Sequence, residues 1–223
     1  MKSIIFNTEM VKAVLDGRKT QFRLPVKIKN KLTRDWAENT GVEWIKEQNE
    51  EKYRYAIRER NGGWAEYDLK TFIETYSKHK VGDILYVKEK FQLGNDIRDT
   101  QNIPLHNDIE ILYYESEINH HNLNNKNFAK IIKWKPSAHL KQKDARISLK
   151  VTNVRVERLD NYGLDVREEG IREDGFYTFS VDSERERKRL FIQLWNSTAK
   201  DGYKWEDNPY VFVYEFERIN KED

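Results

Sequence analysis

Apolar positions along this chain follow two rhythms, and the switches between them mark its predicted elements. Residues 3–6 read as a short strand. Met10, Val11, Val14 and Leu15 recur at helical spacing, which predicts an amphipathic helix over about 8–16 with Asn7 or Thr8 as its cap. Gly17 is the residue type that ends a helix in the left-handed conformation, so the chain turns sharply there. The polar segment 31–50 predicts a helix anchored by Leu32, Trp36, Trp44 and Ile45. Tyr53 to Tyr67 alternates around Asn61-Gly62-Gly63, a signal for two strands and a turn, and Leu69 to Tyr76 reads as a short helix. After the Gly82-Asp83 turn, Ile84 to Phe91 reads as a strand. Ile84, Tyr86 and Lys88 share one of its faces, and Leu85, Val87 and Glu89 the other.

Residues 94–108 are rich in turn formers and read as a loop, followed by a strand from Ile109 to Glu115 and an Asn-rich stretch from Glu117 to Asn127. Ile147 to Leu159 carries the clearest strand signal, and Leu164 to Glu169 reads as a short helix. Ser183-x-x-Glu186 is a capping box that predicts a helix over 184–196, with Leu190, Phe191, Leu194 and Trp195 on its core face. The final strand, Tyr210 to Ile219, sets Val211, Val213 and Glu215 against Tyr210, Phe212, Tyr214 and Phe216. Strands with interspersed helices and no βαβ rhythm predict an α+β fold around a mixed or antiparallel sheet.

A length of 223 residues suffices for one elaborated domain with a real core. Lys and Arg (40) nearly balance Asp and Glu (38), so any attraction for nucleic acid must come from a local patch. Aromatics reach 13%, which serves core packing, base stacking or both. The absence of cysteine excludes disulfides and thiolate metal sites. No apolar run approaches the roughly 20 residues of a membrane span, and the N-terminal run is too short for a signal peptide. The expectation is a cytoplasmic protein with no membrane partner, metal or cofactor.

Candidate chemistry begins at Gly17-Arg18-Lys19-Thr20-Gln21-Phe22-Arg23. In a strand beginning at Lys19, positions 19, 21 and 23 share a face, so Lys19 and Arg23 would point the same way. Two such cations suit a phosphate or carboxylate; they equally suit a solvated basic edge strand. His120 and His121 are adjacent, and neither a strand nor a helix makes a metal site of them without distant ligands. Arg185, Arg187, Lys188 and Arg189 give the predicted helix over 184–196 a basic face. Lys130, Lys133, Lys135, Lys141, Lys143 and Arg146 surround Pro136-Ser137-Ala138-His139 and form the strongest local positive patch. On an extended segment, Ser137 and His139 would project together toward phosphate or base.

The spacing Gly17-x-Lys19-x-x-x-Arg23 resembles the signature of the ASCH domain family. Further matches follow in order: Gly82-Asp83-Ile84-Leu85-Tyr86-Val87-Lys88-Glu89, Trp134-Lys135-Pro136-Ser137-Ala138-His139, Ala145-Arg146-Ile147, Glu168-Glu169-Gly170-Ile171, Phe191-Ile192-Gln193-Leu194-Trp195-Asn196 and the strand after Asn208-Pro209. Together they are similar to the longer ASCH proteins of phages and prophages, over residues 1–24, 81–93 and 130–219. The resemblance implies a PUA-like β-barrel, or pseudobarrel, with flanking helices, built as a single domain over 1–223 with variable insertions at about 25–80 and 94–129.

It also implies RNA or a modified nucleobase as ligand, with Lys19, Phe22, Arg23, Lys135, Ser137 and His139 as contacts. Small bacterial relatives hydrolyse N4-acetylcytidine with a lysine, a threonine and a glutamate. Lys19 and Glu169 match the first and last, which makes them the candidate catalytic pair; an ion pair fixing a helix to the barrel accounts for them equally. Phe22 stands where those relatives have the threonine, so a poor or inactive amidohydrolase is expected, which Phe22→Thr would improve if Lys19 and Glu169 share a cleft. The same resemblance is compatible with ribonuclease activity or with a role in phage assembly.

Overall fold

The computed structural model describes residues 1–27, 43–46, 53–58, 64–93, 112–114, 134–160 and 181–220. The chain opens with strand β1 (Lys2–Ile5), helix α1 (Thr8–Leu15) and strand β2 (Gln21–Pro25). Strands β3 (Glu43–Lys46), β4 (Tyr53–Arg58) and β5 (Trp64–Asp68) lead into helix α2 (Leu69–Tyr76). Then come β6 (Ile84–Lys88), β7 (Phe91–Leu93), β8 (Leu112–Tyr114) and the long β9 (Ser148–Arg158). Helix α3 (Val181–Thr198) and strand β10 (Tyr210–Ile219) complete the described elements.

The fold is α+β. Five strands form one sheet in the order β1-β6-β9-β10-β2, parallel between β1 and β6 and antiparallel elsewhere. β3-β4-β5 and β7-β8 are separate small antiparallel sheets. The five-stranded sheet is not closed into a barrel: β1 and β2 are its edges, and α1 bridges them. Just beyond and within those edges, Phe6 meets Phe22 edge-to-face at 6.1 Å. Among the described residues, no helix is long and apolar enough to cross a membrane.

Alternation along β10 divides the interior as the pattern predicts. Phe212, Tyr214 and Phe216 enter the main core beneath α1 and α2, with Val154 and Val156 from β9. Val211 and Val213 face the other way and pack with Leu159 against Phe191 of α3. Alternation alone keeps Phe216 on the core side, where its backbone N–H donates to Thr20 O at 2.9 Å. Opposite it, Thr152 is an extra residue in β9, and this bulge brings Val151 to the same core as Val154 and Val156. α2 falls within the stretch read as an insertion, yet its Phe72 is fully buried and lies 5.8 Å from Phe212. That segment roofs the core.

Four local expectations need correction. Residues 43–46, expected in a helix, form β3, because Trp44 and Ile45 find strand partners in Tyr55 and Arg54, a pairing no local propensity reveals. α3 starts at Val181, so Ser183 lies inside the helix and does not cap it. The strand expected over 84–91 breaks at Glu89-Lys90 into β6 and β7. Ser137–His139 form a 3₁₀ turn, and at three residues per turn side chains two apart diverge. Ser137 and His139 do not project together.

Candidate functional site

The end of α1 builds the first part of the site. Asn7 caps the helix by accepting the Met10 N–H at 2.8 Å. Gly17, at φ 73°, stops it in the left-handed region, where a side chain would be strained. The Arg18 and Lys19 amides then both donate to Ala13 O, at 2.9 and 3.0 Å. This tight turn tucks Lys19 under the helix. Its side chain lies over the Phe6 ring, with Nζ 5.6 Å from the centroid, and the residue is only 2% exposed. Arg18 turns outward to Asp16 at 2.9 Å.

β2 begins at Gln21 rather than Lys19, and it separates neighbours by face. Phe22 goes into the main core, stacked on Tyr214 with centroids 4.7 Å apart. Gln21 and Arg23 go to the α3 side. There Arg23 Nη2 meets Glu157 Oε1 at 3.0 Å, its guanidinium lies 5.9 Å from the Phe191 ring, and its side chain is 2% exposed. Arg155 holds Glu157 at 3.3 Å, pairs closely with Glu215 and donates to Gln21 Oε1 at 2.9 Å. Two arginines and two glutamates thus balance inside one partly buried network. Arg23 is held in that network by Glu157, where the sequence suggested a simple phosphate contact.

These residues border a cleft of about 520 Å³ between α1, the two sheet edges and α3. Ile4 and Phe6 supply the β1 side, and Lys19, Phe22, Arg23 and Lys27 the β2 side. α3 contributes Phe191, Leu194 and Trp195, and the turn beyond it Lys200 and Tyr203. Trp195 Nε1 donates to Tyr203 O at 2.8 Å, which ties that wall together. Burial pushes the Tyr203 phenol above its ordinary pKa, so it stays a neutral donor and acceptor. Lys90 and Ser137 complete the opposite side.

Of the residues expected from sequence, Lys19, Phe22, Arg23 and Ser137 come together at this cleft. Phe22 is 4% exposed and ringed by Phe6, His79, Tyr214 and Phe216, so it belongs to the core more than to a stacking platform. Lys135 and His139 are not among the cleft residues: Lys135 bridges to Phe91 through its backbone, and His139 is exposed. Glu169, its predicted helix and His120-His121 lie outside the described residues. The basic run on α3 is partly compensated, with Lys188 on Asp160 at 2.9 Å and Arg189 clasped by Glu186. Among the described residues no three His, Asp or Glu side chains form a metal-binding group.

Sequence reasoning missed Lys27, Lys90, Lys200 and Tyr203, and gave Trp195 only a core role. Lys27 had a signal: Lys19, Arg23 and Lys27 repeat every four residues, an even spacing that keeps one strand face. Lys90 and Lys200 sit beyond element ends, where no periodicity marks them. No family model, curated protein or solved structure matches the chain.

Proposed function

We propose that this chain is a PUA-like protein of the ASCH type that binds RNA or a modified nucleobase in the cleft beside α1. One observation carries the reading. Lys19, Arg23, Lys27, Lys90 and Lys200 all border the cleft, and no carboxylate stands among its described lining residues. In a chain with 40 basic and 38 acidic residues, an unselective lining would bring both signs. The remaining surface is mostly apolar and aromatic, which suits a base, while the cations suit its phosphates. The Gly17-x-Lys19-x-x-x-Arg23 motif supplies two of those cations. An open sheet whose edges are bridged by α1 is compatible with a pseudobarrel parted at one seam. A cysteine-free chain fits the cytoplasm, where such ligands are found.

Binding is preferred to hydrolysis because the side chain at position 22 is a core phenylalanine, so the hydroxyl used by the small amidohydrolases is missing there. Titration with single-stranded RNA over a salt series tests the reading. Affinity is expected to fall as salt rises, because phosphate contacts release counterions. Lys27→Gln, Lys90→Gln and Lys200→Gln should each lower the salt slope by about one. Absence of binding to RNA, DNA or free nucleosides at low salt would defeat the proposal.

A further inference from the structure

We infer that Trp195 is the platform on which the cleft stacks one unpaired base, while the phosphates of that strand stay outside at the exposed Lys27 and Lys200. This rests on reading the cleft as a nucleic-acid site. Its first support is what each aromatic ring there has left to present. Phe6, Phe22 and Phe191 are no more than 4% exposed and belong to the two cores. Trp195 borders the same cleft and is only half-buried. It packs on Phe191, with ring centroids 6.3 Å apart, and its Nε1 donates to Tyr203 O at 2.8 Å. An indole has a single N–H, so a ligand meets Trp195 through its ring surface. Held on two sides, the ring gives up little freedom when a base settles on it.

The second support is where charge and apolar surface lie. Lys27, just beyond β2, and Lys200, just beyond α3, are exposed. Met10 of α1, Leu24 and Pro25 of β2, and Leu194 beside Trp195 are partly buried apolar surface within the lining. Lys19 and Arg23 are buried against Phe6 and Glu157, so a strand does not meet them at the rim. A phosphate is costly to take out of water, whereas a base gains by apolar contact. The cleft therefore suits the base inside and the backbone at its mouth.

That orientation selects among nucleic acids. In a duplex each base is paired and stacked between neighbours, and only a base pulled out of the helix can enter a pocket. At about 520 Å³ the cleft is in the class of small-molecule sites, with room for a nucleotide and not for a stack of base pairs. Every base has a π face, so an indole platform distinguishes unpaired from paired bases more than one base from another.

Fluorescence anisotropy with the full chain and three labelled probes of one length tests this: an unpaired oligoribonucleotide, the same strand in a duplex, and an abasic strand of tetrahydrofuran spacers. At equal salt the unpaired strand should bind about 10-fold or more tighter than either of the others. Trp195→Leu should weaken the unpaired strand by about 10-fold and leave the abasic strand within about 2-fold. Its salt slope should not change, because the phosphate contacts remain. A thermal melt checks folding; if Trp195→Leu does not fold, Trp195→Phe, which keeps a ring against Phe191, should show a smaller loss confined to the base-bearing strand. Equal wild-type affinity for the unpaired and abasic strands, or for the unpaired strand and the duplex, would overturn base insertion and leave the binding proposal standing. An equal loss on both single strands in the folded variant would overturn the role of Trp195. No binding of any probe would overturn both this inference and the binding proposal.

Discussion

Acid should weaken this fold through a single buried histidine. His79 follows α2 and is fully buried, wedged edge-on between Phe22 at 6.0 Å and Tyr214 at 5.4 Å. Neither ring nitrogen has a hydrogen-bond partner among the described residues, and nearby Ser77 spends its hydroxyl on Tyr214 and on the His79 carbonyl. Burial disfavours the imidazolium, the charges of Lys78 and Lys2 add to that, and Asp83 only partly opposes it. The His79 pKa falls from 6.5 to about 4. The native protein therefore keeps His79 neutral while the unfolded chain takes up a proton as pH drops below 6.5. Stability is complete above that value and drains away as pH falls toward 4. The full loss is about 3 kcal/mol, of which about 2 kcal/mol has gone by pH 5. Urea unfolding of wild type and His79→Phe at several pH values between about 4.5 and 7.5 measures it. The variant removes two unpartnered polar atoms and keeps a planar ring, so it should match or exceed wild-type stability near neutrality. Its stability should then change with pH by about 2 kcal/mol less over the window, since the carboxylates common to both proteins cancel. Parallel pH profiles for the two proteins would refute the reasoning.

Phe22→Thr should cost on the order of 3–5 kcal/mol in urea unfolding, because it opens a cavity among Phe6, Tyr214 and Phe216 and buries a hydroxyl there. It should not release cytidine from N4-acetylcytidine in a chromatographic assay; efficient release would show that position 22 serves the cleft's chemistry and revive the amidohydrolase reading. Glu89 is clasped by Arg146 Nε at 2.8 Å and Nη2 at 3.0 Å and is almost fully buried, so Glu89→Ala should lower stability by about 3 kcal/mol, against less than about 1 if the pair is dispensable. Arg23→Gln and Glu157→Gln should couple: the double variant should be more stable than the sum of single losses implies, whereas strict additivity would show that their ion pair contributes nothing. Burial raises the Asp83 carboxyl pKa, but hydrogen bonds from Lys2 and the Lys80 amide and the Lys2 charge outweigh it, leaving it depressed. Asp83→Asn should therefore flatten the stability profile below about pH 4, outside the His79 window, as urea unfolding at low pH would read out.

Legibility from sequence followed the range of the interactions involved. β10 is long and alternates cleanly, so its faces could be assigned from the pattern alone, and the two cores divide along that alternation. β9 was legible as a strand, but not the bulge at Thr152 that resets its faces. The end of α1 was legible for a similar reason: a left-handed Gly17 is a local requirement. β3 was not, because Trp44 becomes a strand residue only through Tyr55, a partner that local spacing does not name. Ser137–His139 failed on a subtler point. An extended segment and a 3₁₀ turn are equally open to Pro-Ser-x-His, yet they send side chains two apart in different directions. At the site, Lys19 and Arg23 were found together because the chain carries them only four residues apart into and along the same edge strand. Their consequences diverged because Arg23 met Glu157 from β9 across the sheet, a pairing that only register defines.

That divergence also explains why a cleft of one charge survives inside a nearly neutral protein. Each strongly buried cation needs compensation, and a carboxylate supplied from inside the cleft would cancel the attraction for an anion. The fold avoids this by topology. Glu157 and Glu215 project from β9 and β10 on the α3 side of the sheet and meet Arg23 and Arg155 behind the cleft wall. Phe22, one residue before Arg23, points into the main core and fixes the height of β2 against Tyr214. The same alternation that anchors the edge strand therefore keeps its acidic partners out of the cleft lining. Lys19 is delivered separately, by the tight turn after α1. Edge strands that joined along their whole length would leave no gap there, and edges that never met would leave no floor. With Phe6 and Phe22 in contact and α1 spanning the two edges, the cleft beside them keeps described charges that are all positive.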